Sequence, residues 1–237
     1  MFNWLTGALA EEAGAETEVQ SSWFQTAFER FGKFPVWAWV VVAVLLIGGI
    51  VLYKASKGSK KTVWNTKMLA TGAVCIALSN VLSMIKLMEM AQGGSVTPAS
   101  MLPLMLFAYV YGVGPGCLVG AVYGVLQFII SPWFVSVPQV LLDYPIAYGC
   151  VGLAGLFASM KNENMGLSLG VIVACIARFM AAVLSGVIFF AEYAGSQNPW
   201  VYSIGYNGAY MLPECIICVV LCLTFGLRLA RQLRRNK

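Results

Sequence analysis

Histidine is absent from these 237 residues, and aspartate occurs once, at Asp143. No acidic pair stands with a histidine, and no nucleophile has a recognisable adjacent base, so the sequence offers no catalytic constellation. The glycine-rich phosphate loop of nucleotide hydrolases is missing as well. So is the series of intramembrane acids and histidines that proton pumps use as a relay. Seven cysteines are present, all within apolar stretches. Cys215 and Cys218 form a C-x-x-C with no second pair, which reads as soft packing residues in a helix rather than a metal or redox centre. Charge is scarce: 11% of residues are charged, against about a quarter in a soluble domain. No cofactor is expected, and an enzyme is not.

What the chain has in quantity is apolar length. It is 59% hydrophobic, with a mean hydropathy of +0.78, and several stretches approach or exceed the length needed to cross about 30 Å of hydrocarbon. The alternating pattern of a membrane barrel is absent. The reading is an all-α polytopic membrane protein. Spans are expected over residues 35–53, 68–88, 100–110 (short), 116–130, 137–160, 167–190 and 206–229. The start MFNWLTGALA is followed by acidic EEAGAETEVQ rather than by a basic start and apolar core, so the first span is expected to be kept.

The net charge of +5 does not point to nucleic acid, because the cations sit beside spans. Lys54, Lys57, Lys60, Lys61 and Lys67, then Lys161, then Arg228, Arg231, Arg234, Arg235 and Lys237 all fall on one side if the chain crosses seven times. By the positive-inside rule that side is cytoplasmic. The N-terminus, with its acidic block, is then outside and the C-terminus inside, in a cell membrane. The organisation expected is an extracytoplasmic acidic and amphipathic segment (1–34), an additional transmembrane helix with a basic linker (35–65), a six-helix membrane domain (66–230) and a basic tail (231–237).

The few polar residues inside the spans need a reason. Asp143, in QVLLDYP, is either a helix N-terminal carboxylate held by the dipole or an acceptor for a ligand at the outer face, since a bare carboxylate in hydrocarbon is costly. Gln139 lies one turn before it on the same side, and Tyr144 is adjacent. Asn207 bonds a neighbouring helix or lines a ligand site. Tyr202 is an interface anchor by composition, and Phe190 ends the sixth span. Arg178 and Glu214 are mid-span and of opposite sign, so they are candidates to pair; otherwise backbone carbonyls hold Arg178 or it snorkels to an interface. Gly116, Gly120 and Gly124, spaced by four, make a smooth helix face, as do Ala73 and Ala77. Such faces pack inside the bundle; for Ala73 and Ala77 a second possibility is docking to another subunit.

The runs SNVLSMIKLMEMAQGGSVTPASMLPLMLFAYVYG (79–112), YGVLQFIISPWFVSVPQVLLDYPIAYGCVGLAGLF (123–157), SGVIFFAEYA (185–194) and VYSIGYNGAY (201–210) resemble the thiamine-specific substrate-binding subunits of energy-coupling factor (ECF) transporters. The resemblance covers about 66–230 and leaves out the first sixty residues. It implies a six-helix substrate-binding (S) component that takes up thiamine near the outer face. It also implies docking on a membrane scaffold subunit with two ATPase subunits. Asp143 stands where the family has an acidic residue for the aminopyrimidine, and Tyr144 matches the tyrosine that follows. Trp133 aligns with a family tyrosine before the fifth span. Tyr202 and Asn207 match a tyrosine and an asparagine near the start of the last span. The resemblance further implies that Ala73 and Ala77 dock the scaffold. Three positions depart from the pattern: Phe190 replaces a stacking tryptophan, Ala182 a histidine, and Gly94 falls where a loop tryptophan stands. The alternatives are a related pyrimidine or another vitamin as ligand, a structural membrane protein, or an ion-driven secondary transporter.

Overall fold

The computed structural model describes residues 64–235 except Gln92. The expected first span, the basic linker 54–61, the acidic N-terminal segment and Lys237 lie outside the described residues. The described chain forms six helices: α1 (Thr66–Met84), α2 (Leu102–Tyr111), α3 (Val113–Ile130), α4 (Val137–Phe157), α5 (Glu163–Phe189) and α6 (Pro199–Arg235). Between α1 and α2 runs a ribbon of two antiparallel strands, β1 (Met88–Glu89) and β2 (Ser95–Val96), pairing Met88 with Val96 and Glu89 with Ser95. The expected span 68–88 therefore ends at Met84. The last span starts at Pro199 rather than 206, so Tyr202 lies in its first turn.

All the helices but α2 are long and apolar enough to cross a membrane. Their outward faces carry large apolar side chains left exposed by the fold: Leu69, Val74 and Val81 on α1, Leu118, Val122 and Ile129 on α3, Ile216, Val220 and Leu223 on α6. Lipid is as apolar as these side chains, so the surface needs no protein cover. This is a multi-pass membrane protein.

Helix α2 is the exception. Its ten residues are all buried, as expected of a helix that is apolar on every side. At 1.5 Å per residue it is about 15 Å long, half the hydrocarbon thickness. Gln127 near the end of α3 donates to Ser83 near the end of α1 at 2.8 Å, so both helices finish at the same end of the bundle. The segment between them must return the chain to the far end, and α2 with its preceding loop makes that return. Thr97, Ala99, Ser100 and Met101 of the loop are buried. Irregular backbone at such depth is tolerated only inside protein. Ala99 sits at φ 63°, an uncommon left-handed conformation for a residue with a side chain.

Helix α4 positions the site. Ser136 caps its start, accepting from the Gln139 amide at 3.4 Å. Pro145 lacks an N–H and crowds the preceding turn, and the helix widens there. Over Leu142–Ile146 the turn is a π turn, with the Ala147 amide bonded back to the Leu142 carbonyl. From Cys150 to Phe157 the helix tightens to a 3-10 form.

The glycines at 120 and 124 bring α3 against α4, and Gly116 sits between Ala108 of α2 and Gly152 of α4. A Cβ at Gly120 would collide with the Tyr148 carbonyl oxygen, and one at Gly124 with that of Tyr144. From the opposing side, a Cβ at Gly152 would strike the Cys117 amide nitrogen. This stripe is internal packing. On α1 the same spacing means something else: Ala73 and Ala77 are exposed while Gly72 and Cys75 face inward.

Candidate functional site: a polar cavity at one end of the bundle

A cavity of about 480 Å³ opens where α1, α3, α4, α5 and α6 converge. Asp143, Tyr144, Trp133, Gln139, Phe190, Tyr202 and Asn207, the residues expected to bind ligand, all line it. At the far end of the bundle, Arg231 and Arg234 clamp Glu163 at 2.8 and 2.9 Å. The cavity therefore lies at the end opposite the arginine-rich one.

Asp143 is seven residues past its helix cap, in the π turn. The first-turn amides that would hold a helix-terminal carboxylate are out of its reach. Its Oδ2 accepts from Gln139 Nε2 at 2.6 Å. Ser185 of α5 stands beside the carboxylate, its hydroxyl buried.

The cavity floor holds an ion pair. Arg178 Nη1 lies 3.7 Å from Glu214 Oε2, and Arg178 Nη2 donates to the Tyr148 hydroxyl at 2.9 Å. Glu214 Oε1 accepts from Ser100 at 2.9 Å and from Thr97 at 2.5 Å. The two mid-span charges meet, and they also fasten the loop before α2. Arg178 is paired with Glu214, and Lys86 at the rim with Glu89 at 2.8 Å; among the described residues Asp143 is a carboxylate of the cavity wall that makes no ion pair.

The remaining expected residues differ in what their polar atoms do. Asn207 Nδ2 donates to the Ser203 carbonyl at 2.9 Å and to the Ala182 carbonyl of α5 at 3.4 Å, and its Oδ1 accepts from Tyr210 at 2.8 Å. It joins two helices as well as lining the cavity. The Tyr144 hydroxyl accepts from the Trp133 amide at 2.9 Å and donates to the Ser131 carbonyl at 3.2 Å, so it faces the loop between α3 and α4. Trp133 is 38% exposed at the mouth. Phe190 caps the end of α5, its ring 5.9 Å from that of Tyr193.

Sequence reasoning missed Tyr148, Tyr206, Tyr210 and Ser185. The tyrosines had a signal: 202, 206 and 210 step by one helical turn, and their rings follow one another at 6.2 and 5.9 Å. Ser185 had none. The space at Gly94, where a loop tryptophan was absent, is taken by this ladder. The Gly94 amide donates to the Tyr206 hydroxyl at 3.2 Å, and a Cβ there would stand 2.8 Å from the Tyr210 ring.

Residues 69–233 match the family model described as thiamine transporter protein (Thia_YuaJ). The chain is 34% identical to the thiamine transporter ThiT of Bacillus subtilis (strain 168) over 180 residues, which cover 70% of this chain and 92% of that protein. It is 33% identical to the thiamine transporter ThiT of Lacticaseibacillus paracasei over 135 residues, 51% of this chain and 67% of that protein. Among solved structures, ThiT from Listeria monocytogenes superposes with a TM-score of 0.62 at 21% identity, over 70% of this chain and 96% of that one. The S component of a bacterial ECF transporter superposes with a TM-score of 0.50 at 22% identity, over 71% and 98%. At these identities the structural likeness speaks for the fold alone.

Proposed function

Because the chain belongs to the Thia_YuaJ family of thiamine transporter proteins, we propose that it is the substrate-binding S component of an ECF importer and that thiamine occupies the cavity around Asp143. The observation that carries the reading is the Asp143 carboxylate, which lines the cavity and makes no ion pair among the described residues. Thiamine offers a permanent thiazolium charge and an aminopyrimidine with N–H donors. A carboxylate answers the donors through charge-assisted hydrogen bonds. The faces of Trp133, Phe190 and Tyr202 answer the cation.

The orientation follows from charge. The end bearing Lys161, Arg228, Arg231, Arg234 and Arg235 is cytoplasmic by the positive-inside rule, so the cavity opens outward and the C-terminus lies inside. Placing the N-terminus outside depends on the first span, which is outside the described residues. Translocation is driven by ATPases carried on a separate membrane scaffold. Calorimetry on purified protein is expected to show tight, near-stoichiometric thiamine binding. No binding of thiamine or of its pyrimidine precursors would overturn the assignment. Uptake in vesicles that lack the ATPase module would instead favour an ion-driven carrier.

The scaffold docks on the strip of α1 that carries Ala73 and Ala77, both exposed and small enough for close helix contact. Replacing both with tryptophan is expected to abolish co-purification with the scaffold and uptake, while thiamine affinity stays within about threefold of the parent, as for sites with no shared partners. Loss of thiamine binding as well would assign the strip to the stability of the bundle.

A further inference from the structure

We propose that Gln139 is a positioning residue that clamps the Asp143 carboxylate to the 131–136 loop, so that the acceptor in the cavity wall and Trp133 at its mouth form one unit. The proposal rests on the reading of this cavity as the thiamine site.

Hydrogen-bond accounting carries it. A glutamine amide has two N–H donors and one carbonyl acceptor. In Gln139 the donors go to Asp143 Oδ2 at 2.6 Å and to the Trp133 carbonyl at 3.3 Å, and Oε1 accepts from the Val135 amide at 3.1 Å. Gln139 is 1% exposed. No donor is left for a ligand, although Gln139 borders the cavity.

Tyr144 works alongside it. Its single proton goes to the Ser131 carbonyl, and its oxygen accepts from the Trp133 amide. Two side chains of α4 thus satisfy backbone groups of Ser131, Trp133 and Val135, in a loop with no regular structure of its own. Across the mouth, a Cβ at Gly93 would lie 3.9 Å from the Trp133 indole, so the tryptophan abuts the turn between β1 and β2.

The arrangement divides the carboxylate. Gln139 holds Oδ2, which fixes the rotamer of Asp143 and leaves Oδ1 for an N–H donor of the ligand. A short charge-assisted bond transmits any displacement of the carboxylate through one rigid amide to residues 133 and 135. Ligand capture at Asp143 and the position of Trp133 are therefore coupled through Gln139.

The test compares the full chain with Gln139→Leu, which removes all three bonds. It also uses Gln139→Glu, which keeps the shape and the acceptor for Val135 but loses both donors. Hydrogen exchange of the 131–136 peptide in the ligand-free protein is expected to rise about tenfold or more in Gln139→Leu, because local opening is governed by the bonds that hold the segment. Thiamine affinity should fall in both variants. Residues acting through one another are not additive, so Gln139→Leu combined with Asp143→Ala, which takes away the carboxylate that Gln139 holds, is expected to bind within about threefold of Asp143→Ala alone.

Unchanged loop exchange in both variants would overturn the clamp. Affinity losses that multiply in the double variant would make Gln139 an independent ligand contact. Faster loop exchange with unaltered affinity would reduce Gln139 to a loop support with no hold on the binding carboxylate. If the parent protein bound no thiamine, the functional assignment would fall, while the exchange of the ligand-free loop would still decide whether Gln139 fastens it.

Discussion

Asp143→Asn is expected to weaken thiamine binding by roughly thirty- to several-thousand-fold. Truncating one partner of a buried charged hydrogen bond costs about 2–5 kcal/mol, and about 1.4 kcal/mol is a factor of ten. The substitution keeps the shape and the contact with Gln139, since the asparagine oxygen can still accept from Nε2. What it removes is the charge facing the ligand. Asp143→Glu should be tolerated better, because the carboxylate is retained and one methylene is the only addition. The competing account, a carboxylate held by the helix dipole, predicts a loss of stability without a loss of affinity. The structure disfavours it: Ser136 supplies the cap, Asp143 lies beyond the first turn, and the dipole's influence falls off within that turn. Calorimetric titration beside thermal unfolding of the same variant separates the two. Unaltered affinity with lowered stability would return Asp143 to the helix.

The second large effect is expected at Glu214. Glu214→Leu leaves the Arg178 guanidinium buried in the bundle without its counter-charge and deprives Thr97 and Ser100 of their shared acceptor. Removing one partner of a buried ion pair costs about 3–5 kcal/mol, most of it from the stranded charge. Adding Arg178→Met to Glu214→Leu is expected to recover part of that loss, because a pair of apolar side chains of similar volume carries no desolvation penalty. Thermal unfolding of the single and double variants in one detergent measures it. A double variant less stable than Glu214→Leu would show that Arg178 is held by Tyr148 and the cavity rather than by Glu214. The same pair fastens the loop that carries Ala99 at φ 63°. Glu214→Leu should therefore loosen the approach to α2 as well as lower the overall stability.

Membrane character was legible from the chain because hydrocarbon imposes a length and a polarity on any spanning segment. That constraint is local, and the expected spans over α3, α4 and α5 fall on the observed helices. The positions of the ends were less legible. The polar start of α6 at Pro199 and the short ribbon after Met84 carry little apolar signal, so hydropathy alone placed both boundaries some residues away. Of the residues lining the cavity, Asp143, Gln139 and Asn207 were legible for a related reason, since polar side chains inside spans are few and each needs a partner; Trp133, Phe190 and Tyr202 were singled out only by the family resemblance.

What the sequence by itself determined is therefore the class of molecule, its helices and the short roster of polar residues able to meet a ligand. Only the tertiary structure decided what each of those residues faces. Gly116, Gly120 and Gly124 have the same spacing as Ala73 and Ala77, yet the glycines lie against α2 and α4 inside the bundle and the alanines are exposed. Asp143, Gln139 and Tyr144 share one helix, yet the carboxylate lines the cavity while the hydroxyl of Tyr144 and most of the Gln139 amide are spent on the loop. Arg178 and Glu214 are 36 positions apart, and nothing in their spacing says that they meet. The reason is geometric. Spacing says which residues share a helix face, but hydrogen-bond direction and close approach depend on the neighbour across the gap, which the chain supplies from a distant position.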